Sequence, residues 1–192
     1  MAFKVTEFKG SLAKGGGGAR PALFKVAITS SLLPSTLSVN SLLVKAAAIP
    51  ASNIAPLTVN YAGRAYKWSG LRTFDNWTVT VINDEDFKIR NQMMEWMRLL
   101  SGKFDGSRST EYGHPVSDGK RNEGNATVTQ LGTDGAAKQV YKFYNLWPTE
   151  LGEIAVDWSS DAIQEYTIGF AYDYWGHGSG SSTAVSNVVN AA

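Results

Sequence analysis

The chain contains no cysteine, which excludes disulfide staples and thiolate metal sites. Histidine is nearly as scarce. Only His114 and His177 occur, each in a glycine-flanked polar stretch, and neither belongs to an HExxH pair or a G-x-S-x-G elbow. Zinc and serine-type catalysis therefore find no support, and no catalytic, cofactor-binding or metal-binding residue is nominated. No segment approaches the roughly 18 consecutive apolar residues of a membrane span, and the opening MAFKVTEFKGSLAKGGGG lacks the apolar centre of a secretory signal. The expectation is synthesis in the cytoplasm with no export address and no stable membrane insertion. Charge is sparse at 18% of residues and balanced, with 18 basic against 17 acidic groups and a formal net charge of +1. There is no basic stripe for nucleic-acid binding, and a surface so poor in charge suits contact with partners.

What the chain does have is apolar alternation. Its 192 residues, 43% hydrophobic, suffice for one domain with a real core. Residues 1–22 read as a flexible N-terminal arm around KGGGGARP. LFKVAIT (23–29) alternates at period two, and Ala62-Gly63 separates two strand-like runs within PLTVNYAGRAYKWSG. Alternation from Thr73 to Ile82 predicts one ten-residue strand, and a helix over about 84–101 follows it. The NDED joint supplies an N-cap from Asn83 or Asp84, Glu85 and Asp86 fall in the first turn, and Gly102 is the expected C-terminal cap. Ile89, Met93, Trp96, Met97 and Leu100 share one helical face. Residues 103–124 read as a long polar loop, NATVTQLG-TDG-AKQVYKFYNLW as a hairpin, and PTELGEIAVDW and AIQEYTIGFAYDYW as strands about a turn at SSDA. Residues 176–192 read as a low-complexity C-terminal tail. The predicted fold is mainly β: a β-sandwich or barrel of about eight antiparallel strands with one flanking helix, spanning 23–175.

The stretches that resemble chemical motifs have plainer readings. Acids in NDED offset the exposed N–H groups and dipole of a helix N-terminus. KGGGGAR lacks the GK[ST] ending of a phosphate loop, and DGKRNEG places Lys and Arg where a calcium loop needs oxygen ligands. NWT and NAT match glycosylation acceptors but sit in strand-like runs with no secretory signal.

RPALFKV, LLVKAAAIP, NYAGRAYKWSGLRTFDNWTVTVINDEDFKIRNQMMEWMRLLSG, NATVTQLGTDG, KQVYKFYNLWPTELGEIAVDW and AIQEYTIGFAYDYW together resemble the tail tube proteins of contractile-tailed bacteriophages. The likeness runs from about residue 20 to 175. It departs from the family pattern at Gly70-Leu71-Arg72-Thr73-Phe74 and at Ile49-Pro50-Ala51-Ser52. The resemblance implies a virion component whose homohexameric rings stack into a hollow tube inside a contractile sheath. The tube meets baseplate and tail terminator proteins, its bore holds a tape measure protein and DNA without sequence-specific binding, and it penetrates the host envelope. Tubes of type VI secretion systems and phage-tail-like bacteriocins share the fold, so a tube protein of such an injection system is one alternative. A carbohydrate-binding β-sandwich is another, given six tryptophans and eight tyrosines.

Given a tube, alternation assigns Asn76, Thr78, Thr80, Thr127, Thr129, Lys142 and Glu165 to a bore-facing surface. It assigns Trp77, Val79, Val81, Met93, Trp96, Met97 and Leu100 to the core. Ring stacking is expected of the arm 1–22, the loop 30–40, the segment 48–57 and the loop 103–124.

Overall fold

Apolar alternation at 24–30 becomes strand β1 (Phe24–Ser30), which buries Val26 and Ile28 and turns Lys25, Ala27 and Thr29 outward. The computed structural model describes residues 4–14, 16–30, 43–101 and 124–179. In chain order the other elements are α1 (Val5–Lys14), which precedes β1, then β2 (Val44–Ala47), β3 (Asn53–Tyr61), β4 (Arg64–Thr73), β5 (Trp77–Ile82), α2 (Lys88–Ser101), β6 (Gly124–Leu131), β7 (Ala137–Leu151), β8 (Glu165–Ala171) and β9 (Tyr174–Ser179). All strand pairings are antiparallel. The expected loops 30–40 and 103–124 lie almost wholly outside the described residues, as does the Gly102 cap.

Seven strands form one folded-over sheet in the order β1-β6-β7-β8-β5-β2, with β9 also on β7. β7 makes this possible. Its first half pairs with β6 and β9, whereas Trp147–Leu151 pairs with β8. Between the halves Asn145 adopts a left-handed φ of 54°, a conformation that asparagine tolerates better than most residues. Its Nδ2 donates to Asp173 Oδ2 at 2.7 Å, and Asp173 N–H donates to the Tyr144 carbonyl at 3.2 Å. Asp173 is also where the chain leaves β8 for β9, so both changes of layer are fastened at one point. The result is a sandwich with β1-β6-β7-β9 as first layer and β7-β8-β5-β2 as second.

The two layers close on Val26, Ile28, Ala126, Val128, Phe143 and Leu146 from one side and Val44, Trp77, Val79, Val81, Tyr166, Ile168 and Phe170 from the other. Trp77 stacks on Phe143 at 4.4 Å between centroids, and its indole N–H donates to the Ala48 carbonyl at 2.8 Å. Helix α2 covers the core with Ile89, Met93 and Trp96. Of the expected core set, Trp77, Val79, Val81, Met93 and Trp96 are buried. Leu100 is half-buried and packs against the cluster, while Met97 is half-buried at the margin, because the buried stripe follows i, i+4, i+7 from Ile89 and leaves Met97 at its edge.

Several boundaries differ from the sequence expectations. The run 73–82 is not one strand: β4 ends at Thr73, and β5 begins at Trp77 in another sheet. Asn53 Nδ2 donates to Asp75 Oδ2 at 3.1 Å across the break. α2 starts at Lys88 rather than 84, because Phe87 takes a φ of 53°, and Asp84 caps it by accepting from the Lys88 amide at 3.2 Å. The arm 1–22 contains helix α1, and residues 174–179, read partly as low-complexity tail, form β9. GEIAVDW is a loop rather than a strand.

Burial raises the Tyr166 hydroxyl to a pKa of about 12, against partial relief from the Arg90 guanidinium 5.2 Å from its ring; Asp84 adds to the rise. Burial also raises Tyr144 and Tyr172. A folded pKa above the unfolded value of 10 means that the fold favours the neutral phenol. Its stabilisation is complete below pH 10 and is lost as pH rises towards 12. Alkaline unfolding is expected to steepen in that window, and Tyr166→Phe should flatten it, as read by denaturation midpoints from pH 8 to 12. An unchanged profile would remove Tyr166 from the account.

Candidate assembly surface

Among the described residues, strands β3 and β4 pair only with each other. Ala62 and Gly63 connect them with φ of 49° and 75°, the two positive values that a tight type I′ turn requires. In the register, Leu57 faces Trp68, Val59 faces Tyr66, and Tyr61 faces Arg64. Opposite residues of an antiparallel pair share a face, so these form one apolar row. Thr58 and Lys67, Asn60 and Ala65, and Pro56 and Ser69 form the more polar reverse. Every residue of both strands is exposed, including Trp68 at 68%. Towards its base the ribbon carries a bulge, where Gly70 is essential: a Cβ there would stand 2.5 Å from the Ala55 carbonyl oxygen.

A two-stranded hairpin with neither face covered is marginal in water, and contiguous exposed apolar area marks a contact site. The expected stacking segment 48–57 reaches only the base of this ribbon. The alternation of Leu57, Val59 and Tyr61 was visible in sequence, but alternation cannot tell a strand half-buried by its own domain from one that waits for another chain.

A second bare surface is the loop 152–164 between β7 and β8. Val156 and Ile163 are largely exposed and Trp158 is fully so. The loop carries Glu153, Asp157 and Asp161 with no lysine or arginine. Asp157 accepts from the amide and hydroxyl of Ser159 at 2.9 and 2.8 Å, which lowers its pKa and keeps it ionised.

The residues assigned to a bore are divided between the outward faces of the two layers. Thr78 and Thr80 of β5 lie opposite Gly169 and Thr167 of β8, with Glu165 opposite Ile82 and Asn76 just before β5; all belong to the second layer. Thr127 lies opposite Lys142, and Thr129 opposite Lys25 and Val140, on the outward face of the first layer. Period-two alternation told inward from outward, but the layer a strand joins depends on pairing, which alternation does not carry. The outward faces also differ in charge. The second layer shows Lys45 bound to Glu165 at 2.7 Å, with Glu150 beside Gly169. The first shows Lys25, Lys142 and Lys138, the last paired with Asp134 at 2.7 Å.

Among the described residues, no group of three or more His, Asp or Glu side chains could hold a metal, and no helix is long and apolar enough to cross a membrane. His177 lies exposed on β9 beside Gln139, and His114 lies outside the described residues. Among the described residues, the structure is a two-layer sandwich carrying an exposed amphipathic ribbon, an arrangement that suits contact with other chains. A family profile described as phage tail tube protein matches residues 19–177. The chain is 36% identical over 166 residues to the tail tube protein gp19 of Enterobacteria phage T4, covering 83% of this chain and 92% of that one. Its fold matches a chain of the anti-feeding prophage baseplate, with TM-score 0.64 and 9% identity, covering 86% of this chain and 98% of that one. It also matches a chain of the sheath-tube complex of an extracellular contractile injection system, with TM-score 0.59 and 11% identity, covering 93% and 99%. The chain belongs to the phage tail tube protein family, as a structural protein of contractile, myovirus-like tails.

Proposed function

We propose that six copies close into a ring, that rings stack into a hollow tube, and that the tube stands inside a contractile sheath between baseplate and tail terminator. The observation that carries this reading is the β3–β4 ribbon, exposed on both faces and apolar on one. Its role is structural rather than catalytic. The protein is made in the host bacterial cytoplasm and ends in the virion. The likeness to chains solved within a sixfold-symmetrised baseplate and a sheath-tube complex supports the ring and the surrounding partners.

The bore is lined by the second layer. A conduit for DNA and a tape measure protein must not hold phosphates, and clustered lysines would do so. The second layer offers threonines, a lysine already paired with Glu165, and Glu150, whereas the first layer is basic. Asn76, Thr78, Thr80 and Glu165 therefore face the bore, and Thr127, Thr129 and Lys142 face the sheath side.

Electron microscopy of concentrated protein, with and without a baseplate template, should reveal rings or tubes. A permanent monomer under both conditions would refute the reading. Thr78→Lys/Thr80→Lys/Thr167→Lys should still assemble but should retain added DNA, with a salt dependence typical of phosphate contacts. Retention produced instead by lysines placed at Thr127 and Thr129 would put the first layer inside.

A further inference from the structure

Helix α1 lies outside the matched residues 19–177 and buries none of its side chains. Val5, Phe8 and Leu12 fall within a sector of about 60° at roughly 100° per residue, and all three are exposed. A ten-residue helix with Gly10 in its middle is marginal alone. Residues 4–14 carry three lysines, Lys4, Lys9 and Lys14, against one acid, Glu7. The loop 152–164 is the converse in charge and the match in polarity: three acids, no base, and Val156, Trp158 and Ile163 in the open.

We propose that α1 of one copy docks on the 152–164 loop of a second copy of this chain, Val5, Phe8 and Leu12 covering Val156, Trp158 and Ile163 while the lysines face Glu153, Asp157 and Asp161. Two apolar patches of opposite charge on one polypeptide are complementary surfaces, and the charges set the orientation of approach. The partner is a second copy because β7 separates the two within a chain. The arm is rooted at the β6–β7 turn, where Gln130 Nε2 donates to the carbonyls of Arg20 at 2.7 Å and Leu23 at 3.0 Å. The loop leaves from the far end of β7, after Leu151. Head-to-tail stacking brings the arm end of one copy to the loop end of the next. The inference rests on the tube reading.

The absence of native cysteine makes the test clean. Ala13→Cys and Ala155→Cys are placed in separate proteins of different tag mass, mixed, assembled and treated with a short bis-maleimide. A heterodimer of the two tags is expected. Lys4→Glu/Lys9→Glu/Lys14→Glu should reduce its yield about tenfold, and adding Glu153→Lys/Asp157→Lys/Asp161→Lys on the loop-bearing protein should restore it. Since α1 contributes nothing to the core, circular dichroism melts should not move. Tubes without heterodimer, or cross-linking confined within a chain bearing both cysteines, would overturn the docking while sparing the tube. Wild-type protein that forms no tubes would overturn the tube itself.

Discussion

Leu57→Asp/Trp68→Asp is expected to leave a folded monomer that no longer assembles. The two side chains face each other across the ribbon and are largely exposed. Covering them with a neighbour stabilises the contact by about 1.5–3 kcal/mol per side chain, and an unpaired carboxylate buried there would cost several more. A loss of about 4 kcal/mol per contact raises the concentration needed for polymerisation about a thousandfold. Sedimentation and electron microscopy at matched concentrations read the loss. The thermal midpoint should barely move, since exposed substitutions fall within about 0.5 kcal/mol. Tubes formed by this variant at the wild-type concentration would show that the ribbon is not an assembly contact.

Trp96→Ala should act in the opposite way, on the domain and not on the contact. Trp96 is fully buried and stands 6.4 Å from Phe170 between centroids. It also fills the space above Gly124, where an added Cβ would approach the indole to 2.6 Å and the Thr29 carbonyl oxygen to 2.4 Å. Emptying that space should cost about 3–5 kcal/mol and lower the melting midpoint by on the order of 10 °C. Assembly would then fail only above the new midpoint. A shift of a degree or two would mean that α2 is not part of the cooperative core.

The sequence was most legible where local pattern and burial agree. Val79 and Val81 alternate with Thr78 and Thr80, and the strand buries the former pair. The TDG turn forms, with Gly135 at φ 74° and Gly132 N–H donating to the Ala136 carbonyl at 2.8 Å. Legibility ended where one stretch of chain changes partners. Nothing local in Thr73–Ile82 marks the passage from a projecting ribbon to a body strand, and nothing in KFYNLW reveals that Asn145 bends its strand into the opposite layer. The apolar GEIAVDW segment has the composition of a strand but stays a loop, with Ile154 packed against the core and Val156 and Trp158 exposed.

β7 also bears on the mechanical integrity of the subunit. Sandwich layers held by side chains alone can slip past one another under shear, as greased plates do. Here a single covalent strand belongs to both, and the Asn145–Asp173 rivet sits at the crossing. Slippage would have to rupture a row of main-chain hydrogen bonds together, so a load on either layer is shared by the other.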